Sequence, residues 1–179
     1  ARETAAEGGV EILIINVGKA DAILVTVDGM HYLIDTGTQK SYDRMMQALD
    51  RRGVERLSGV FLTHTDKDHG GGMKKLSESD LPVDAWYAPA IFYEKKPEKH
   101  QAAQAAERRD QEVVWLAVGD EIPAGEDGRF LVLAPLQVNE GNENNNSLVL
   151  MFESPQGRAL FTGDMEFDEE DDLIASGAD

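Results

Sequence analysis

The residues Thr63-His64-Thr65-Asp66-Lys67-Asp68-His69-Gly70-Gly71 follow directly on the apolar run Val60-Phe61-Leu62. Four potential metal ligands therefore fall within six positions, behind a segment that reads as a buried strand. His64 and Asp66 alternate, so a turn can aim both at one cation. Asp68 and His69 come next and can serve a second. Imidazole suits Zn²⁺, Mn²⁺ or Fe²⁺, and carboxylates widen the choice toward Mn²⁺ and Mg²⁺. Gly70, Gly71 and Gly72 let the backbone pack closely where a helix begins. A solvated polar loop is the competing reading. Two of the chain's four histidines stand in this loop, which favours metal binding.

Two more carboxylates stand at strand ends. Asp35 closes Leu33-Ile34-Asp35-Thr36-Gly37 and reads as a group that orients a ligand histidine. Asp164 closes Leu160-Phe161-Thr162-Gly163-Asp164 and reads as a bridge between two metals. Taken singly, the first is a turn-forming Asp and the second a helix N-cap. As a set with the His/Asp loop, these acidic strand ends are not explained by turns alone.

Around these points the chain alternates strands and helices. Val10–Val17, Ala22–Val27 and Met30–Ile34 read as strands, the last two joined by an Asp28-Gly29 hairpin. Ser41–Arg52 has helical spacing of Met45, Met46 and Leu49 and a stop at Gly53. Leu57–Thr63 and Val83–Tyr87 read as strands, with a helix over Gly70–Ser77. An exposed helix is expected over Glu94–Arg109, broken early by Pro97. Val113–Leu116, Phe130–Ala134, Ser147–Phe152 and Ala159–Thr162 are further strands, and Glu166–Ala175 a last, acidic helix. The class is α/β or α+β, in one domain over residues 10–179 behind a flexible segment 1–9.

The chain has 179 residues, 17 Lys and Arg against 34 Asp and Glu, a net charge of −17, and no Cys. Such a surface repels phosphodiester backbones and anionic lipid, which argues against broad nucleic-acid binding. No apolar run approaches the roughly 18 residues of a membrane span. Without Cys there is neither a disulfide nor a thiolate metal site. Trp86-Tyr87 through Phe92-Tyr93, with Lys95, Lys96 and Lys99 after them, read either as a base-stacking lip with phosphate-binding cations or as an ordinary packed loop.

The ordered series Asn16-Val-Gly-Lys-Ala-Asp21-Ala22, Leu33–Gly37, Leu62–Gly71, Asn144-Asn-Asn-Ser-Leu-Val-Leu150 and Leu160–Asp164 resembles the metallo-β-lactamase superfamily. It is most similar to the branch that holds the hydrolase domain of the ComEC/Rec2 competence proteins. The resemblance implies a four-layer αββα sandwich with a dinuclear site at one edge, between the sheets. It gives His64 and Asp66 to the first metal, Asp68 and His69 to the second, and Asp164 as the bridge. Two divalent ions, Zn or Mn, are implied, with Asp68 orienting an activated water or taking its proton.

The sequence departs from the family pattern in places. Lys19-Ala20 stand where the branch has Gln-Gly. No His precedes the Asn144–Ser147 motif, where Asn144 or Asn146 can replace it as a ligand. A late His-His-Gly is expected after the helix that follows Asp164, and the chain ends at Asp179. The expectation is a domain truncated after that helix, with the second half of the sandwich incomplete and a free sheet edge open to self-association. His31 then reads as a packed or edge strand residue and His100 as solvated.

The function implied is a metal-dependent hydrolase acting on a phosphodiester or nucleic acid, with a small phosphate ester kept open by the charge. Thioester and lactam hydrolysis fit less well, because His is expected at position 66. The alternative is a non-catalytic binding or assembly domain that retains the fold. The analogy favours a location outside the cytoplasm.

Overall fold

The computed structural model describes residues 9–92 and 96–177. Residues 1–8 of the expected flexible segment, together with Tyr93, Glu94, Lys95 and the last two residues, lie outside the described residues. The first sheet holds β1 (Val10–Ile14), β2 (Ile23–Val27), β3 (Met30–Ile34), β4 (Gly59–Phe61), β5 (Trp86–Pro89) and β6 (Val113–Leu116), side by side in chain order. β1, β2 and β3 pair antiparallel, and β3 through β6 run parallel. Three helices make the parallel crossovers: α1 (Tyr42–Arg51), α2 (Met73–Ser77) and α3 (Gln101–Glu107).

The second sheet is antiparallel. It contains β7 (Glu121–Ala124), β8 (Gly128–Ala134), β9 (Val149–Ser154) and β10 (Gly157–Phe161) in the order β10-β9-β8-β7. α4 (Phe167–Ser176) follows it. β7 is absent from the sequence reading because Pro123 interrupts its pattern; it is tolerated because β7 is an edge strand, where a missing N–H costs no ladder bond.

Strand alternation divides the buried residues into layers. Leu24, Leu33, Val60 and Leu62 face Met45, Leu49, Met73 and Leu76 and the alanines of α3. Val25, Tyr32, Ile34 and Phe61 face Phe130, Val132, Leu150 and Phe152 of the second sheet. Ala134 and Val149 face Leu173 of α4. Successive strand residues point to opposite faces, so both faces of each sheet find apolar partners. The result is helices, sheet, sheet, helix: the four layers the resemblance implies.

Between the sheets the rings stack. Phe61 lies 4.6 Å from Tyr87 and 4.9 Å from Phe130, and Phe130 lies 5.2 Å from Phe152. Tyr32 Oη donates to the Pro123 carbonyl at 3.1 Å, tying the first sheet to β7. The short α2 is held from outside. The Arg109 guanidinium donates to the carbonyls of Leu76, Ser77, Ser79 and Leu81, which closes its C-terminal end.

Among the described residues of the aromatic stretch, Trp86 and Phe92 are packed. Trp86 is fully buried and donates to Gln111 at 2.8 Å, and Phe92 stacks on Trp115. His100 is likewise not solvated. It is 1% exposed, accepts the Ala102 amide as the N-cap of α3, and sits between Phe92 and Trp115. Its neighbours in sequence are polar, but its neighbours in space come from distant segments. His31 is packed within β3, with its Nδ1 3.0 Å from Thr26 Oγ1.

Candidate metal centre

Parallel strands deliver their carboxyl ends to one edge of a sheet, and loops leaving that edge collect functional groups. Here β3 delivers Asp35 and β4 delivers Thr63 through His69. The second sheet arrives at the same place, because the Leu148 amide donates to the Thr63 carbonyl at 2.8 Å. After β10, the Asp164 amide donates to Ser147 Oγ at 3.2 Å. Close approach explains two glycines. A Cβ on Gly71 would stand 2.2 Å from the Lys67 carbonyl oxygen, and one on Gly163, which has φ +53°, 2.9 Å from Thr63 Cβ.

Asp35 organises the loop. It is buried and left-handed, with φ +58°, a region Asp enters more readily than most residues. Its carboxylate accepts the Thr63 amide at 2.8 Å, Thr63 Oγ1 at 2.7 Å and His69 Nδ1 at 2.7 Å. That last bond turns His69 Nε2 outward, to 3.1 Å from Asp164 Oδ1. Burial works to lower the His69 pKa. The hydrogen bond and charge of Asp35, with Asp164 and Asp21, outweigh it and lift the ring to about 9. His69 is therefore a cation in a carboxylate cage, a role a bound metal ion would take over.

His64, His69 and Asp164 bring ligand atoms within 4.8 Å of one another. The two imidazole rings are 4.1 Å apart. His64 Nδ1 lies 3.1 Å from Thr63 Oγ1, while its Nε2 is buried without a hydrogen-bond partner. Such an orphaned nitrogen costs stability unless something fills the place. An imidazole lone pair, a second ring and a carboxylate fit a divalent cation of the Zn or Mn kind.

Of the residues singled out in the sequence, His64, His69 and Asp164 converge, and Asp35 stands behind His69. Asp66 is exposed at the rim, its Oδ2 3.9 Å from His64 Nε2. Asp68 is half-buried outside the convergent group, and its carbonyl accepts the Asp21 amide at 3.1 Å. Asn146 does not replace the absent His. Asn146 spends its side chain on Asn139 and on the Asn142 carbonyl, and Asn144 donates to Glu166. These asparagines build the 3₁₀ turn Glu143–Asn146 and grip the segment after Asp164: Asn142 and Asn144 hold the Glu166 carboxylate at 2.8 and 2.9 Å. Thr65 Oγ1 donates to Glu143, joining that turn to the His loop.

Asp21 is the residue the sequence reading missed as part of the site. Its pKa is raised by desolvation first, with His69 opposing, and then by repulsion from Asp35, Asp164 and Asp68. The signal was present: Asp21 lies in the Asn16–Ala22 segment, one of the ordered motifs, but an acid in a turn is ordinary on its own.

A family model of the metallo-beta-lactamase superfamily matches residues 15–178. The chain is 27% identical over 182 residues to ComE operon protein 3 of Bacillus subtilis (strain 168), covering 92% of this chain and 23% of that protein. It is 28% identical over 174 residues to competence protein ComA of Neisseria gonorrhoeae, covering 96% and 22% respectively. The chain thus spans less than a quarter of the length of these relatives. Among solved structures, the MIM-2 metallo-β-lactamase superposes with a TM-score of 0.56 at 19% identity, covering 94% of this chain and 66% of that one. The GOB-18 enzyme from Elizabethkingia meningoseptica gives 0.54 at 17%, covering 79% and 53%. These structures share the fold. With the sandwich and the His/Asp cluster at its edge in place, the match over nearly the whole chain shows that it belongs to the metallo-β-lactamase superfamily.

Proposed function

We propose that this domain is a metal-dependent hydrolase of phosphate esters, with a phosphodiester or nucleic-acid strand as the first candidate substrate. The convergence of His64, His69 and Asp164, with the His64 Nε2 left unpartnered, is the observation that carries the reading. A divalent cation held there supplies Lewis acidity and a water of lowered pKa. His64 and Asp66 would hold one ion and Asp68 and His69 a second, Zn or Mn, with Asp164 as a further carboxylate ligand. Asp35 fixes the His69 tautomer, so that Nε2 is the ligating atom. Asp68 would take the proton released by a metal-activated water, and Asp21 stands beside it, its amide donating to the Asp68 carbonyl. No protein nucleophile is needed, in keeping with a chain that has no Cys.

The competence proteins among the relatives favour a nucleic-acid substrate. The net charge of −17 confines contact to a short stretch of backbone at the centre, or to a small phosphate ester. Assays on bis-p-nitrophenyl phosphate and single-stranded DNA with added Mn²⁺ or Zn²⁺ test the reading. Metal-dependent turnover that Asp164→Asn abolishes is expected. Bound metal with no turnover on either substrate replaces the hydrolase with a binding or assembly domain. Self-association belongs to the outer edge of β10, where Leu160 is exposed and the backbone of an edge strand offers pairing. Sedimentation at increasing concentration tests it, and a monomer throughout rejects it. Among the described residues no helix is long and apolar enough to cross a membrane.

A further inference from the structure

Charge is divided unevenly between the two sides of the metal centre. Residues 1–116, which include the first sheet and its helices, hold 15 of the chain's 17 Lys and Arg and 19 of its 34 Asp and Glu. Residues 117–179, which include the second sheet and α4, hold 15 Asp and Glu against Arg129 and Arg158 alone. Those two arginines are spent on Glu121 and Glu153. Asp35 and the His loop come from the first half and Asp164 from the second, so the centre lies on the border. A polyanion meets strong repulsion on the second side and not on the first.

Topology sets the line of approach. β3, β4 and β5 run parallel, and β1 is antiparallel to β2 as β2 is to β3, so β1, β3, β4 and β5 all end at the edge that holds the centre. The segment after each of them brings exposed cations: Lys19 after β1, Lys40 and Arg44 after β3, Lys67 after β4, Lys96 and Lys99 after β5. The first three segments are tied side by side. The Asp21 amide donates to the Asp68 carbonyl at 3.1 Å. A Cβ on Gly71 would collide with the Lys67 carbonyl oxygen and stand 2.8 Å from the Gln39 amide nitrogen. Among the described residues none of these six cations is in an ion pair, whereas Arg52, Arg56, Lys74 and Arg108 are. Beyond the buried Asp35, the described acids alongside them are Asp43, Glu98, and Asp21, Asp66 and Asp68 around the centre, where a divalent ion offsets their charge. Neighbouring strands stand about 4.8 Å apart, so the row from β1 to β5 is about 19 Å long, roughly five nucleotides at 3.4 Å each.

We propose that this row grips the phosphate backbone of one nucleic-acid strand and lays it across the metal centre, which makes the substrate a strand rather than a small phosphate ester. The proposal rests on reading the centre as a phosphodiesterase. Fluorescence anisotropy tests it, with the chain in Mn²⁺ titrated into labelled phosphorothioate oligo-dT, a probe that resists cleavage, over a salt series. Binding should weaken with salt at a log–log slope of about −2 to −3, as expected of roughly three or four phosphate contacts on a single strand. Lys40→Gln and Lys99→Gln should each weaken it about fivefold and take about 0.7 off the slope. Arg51→Gln removes the same charge from the last turn of α1, at the opposite edge, and should weaken it by less than about twofold. An uncharged methylphosphonate oligo-dT should not bind. Equal losses from all three variants, binding of the uncharged oligomer, or tighter binding of phosphatidylglycerol vesicles each overturn the proposal. Turnover of bis-p-nitrophenyl phosphate separates the two readings. Turnover without oligomer binding overturns the row and keeps the hydrolase; binding without turnover upholds the row and removes the hydrolase.

Discussion

His69, in the loop after β4, and His100, at the start of α3, are buried alike, 2% and 1% exposed. Their surroundings differ completely. His69 has a carboxylate on each ring nitrogen and is lifted to about 9. His100 has an aromatic box and one backbone amide, and burial presses it down to about 4. Each region also shows a buried ring nitrogen without a partner, His64 Nε2 in one and His100 Nε2 in the other. Only the first lies among other ligands. Burial therefore decides neither charge nor role; the partners that the fold brings alongside do.

The sharpest way to break this comparison is to remove the partner. Asp35→Asn keeps a residue that tolerates the left-handed backbone but strips the charge that holds Thr63 and His69. Urea unfolding should show a loss of about 3–5 kcal/mol, the usual result of stranding one member of a buried ion pair. A loss below about 1 kcal/mol would mean that the loop is ordered by something else.

The other half of the comparison predicts a pH effect of known sign. An unfolded histidine titrates near 6.5, and His100 in the folded chain near 4. Between these values the unfolded chain binds the extra proton, so the His100 contribution is complete above pH 6.5 and is lost as pH falls toward 4. The loss is about 3 kcal/mol in full. His100→Asn, which keeps an N-cap acceptor, should flatten stability across that window. Carboxylates titrating there affect both proteins alike, so the difference in slope is the measurement. Equal slopes would show that His100 is charged or solvated after all.

Ser147→Ala has the smallest expected effect. It removes the oxygen that accepts the Asp164 amide, for a stability loss of about 1 kcal/mol. Metal affinity, measured by chelator competition, should fall by less than tenfold. Unchanged affinity would mean that the asparagine turn does not position Asp164.

Much of this was legible in the chain itself. The apolar run before Thr63 and the strand returning from the Asp28-Gly29 hairpin gave the central strands, and the spacing of Met45 and Leu49 gave α1. The His/Asp loop gave the centre, because ligands crowded behind a buried strand have few other uses. The rest depended on distance in space. His100 sits among Glu98, Lys99 and Gln101 in sequence but between Phe92 and Trp115 in the fold. Asn146 has an amide chemically able to ligate, and only its neighbours show it spent on the turn. Asp21 carries no local mark until Asp35, His69 and Asp164 surround it. β7 hides behind Pro123, which a central strand would have excluded.

We propose that His64, His69 and Asp164 together hold a metal ion. Equilibrium dialysis against Zn²⁺ and Mn²⁺, followed by metal analysis of the wild type and of His64→Ala, Asp164→Asn and His100→Asn, tests it directly. Bound metal is expected in the wild type and in His100→Asn, and its loss in the other two. Equal metal content in all four proteins would contradict it.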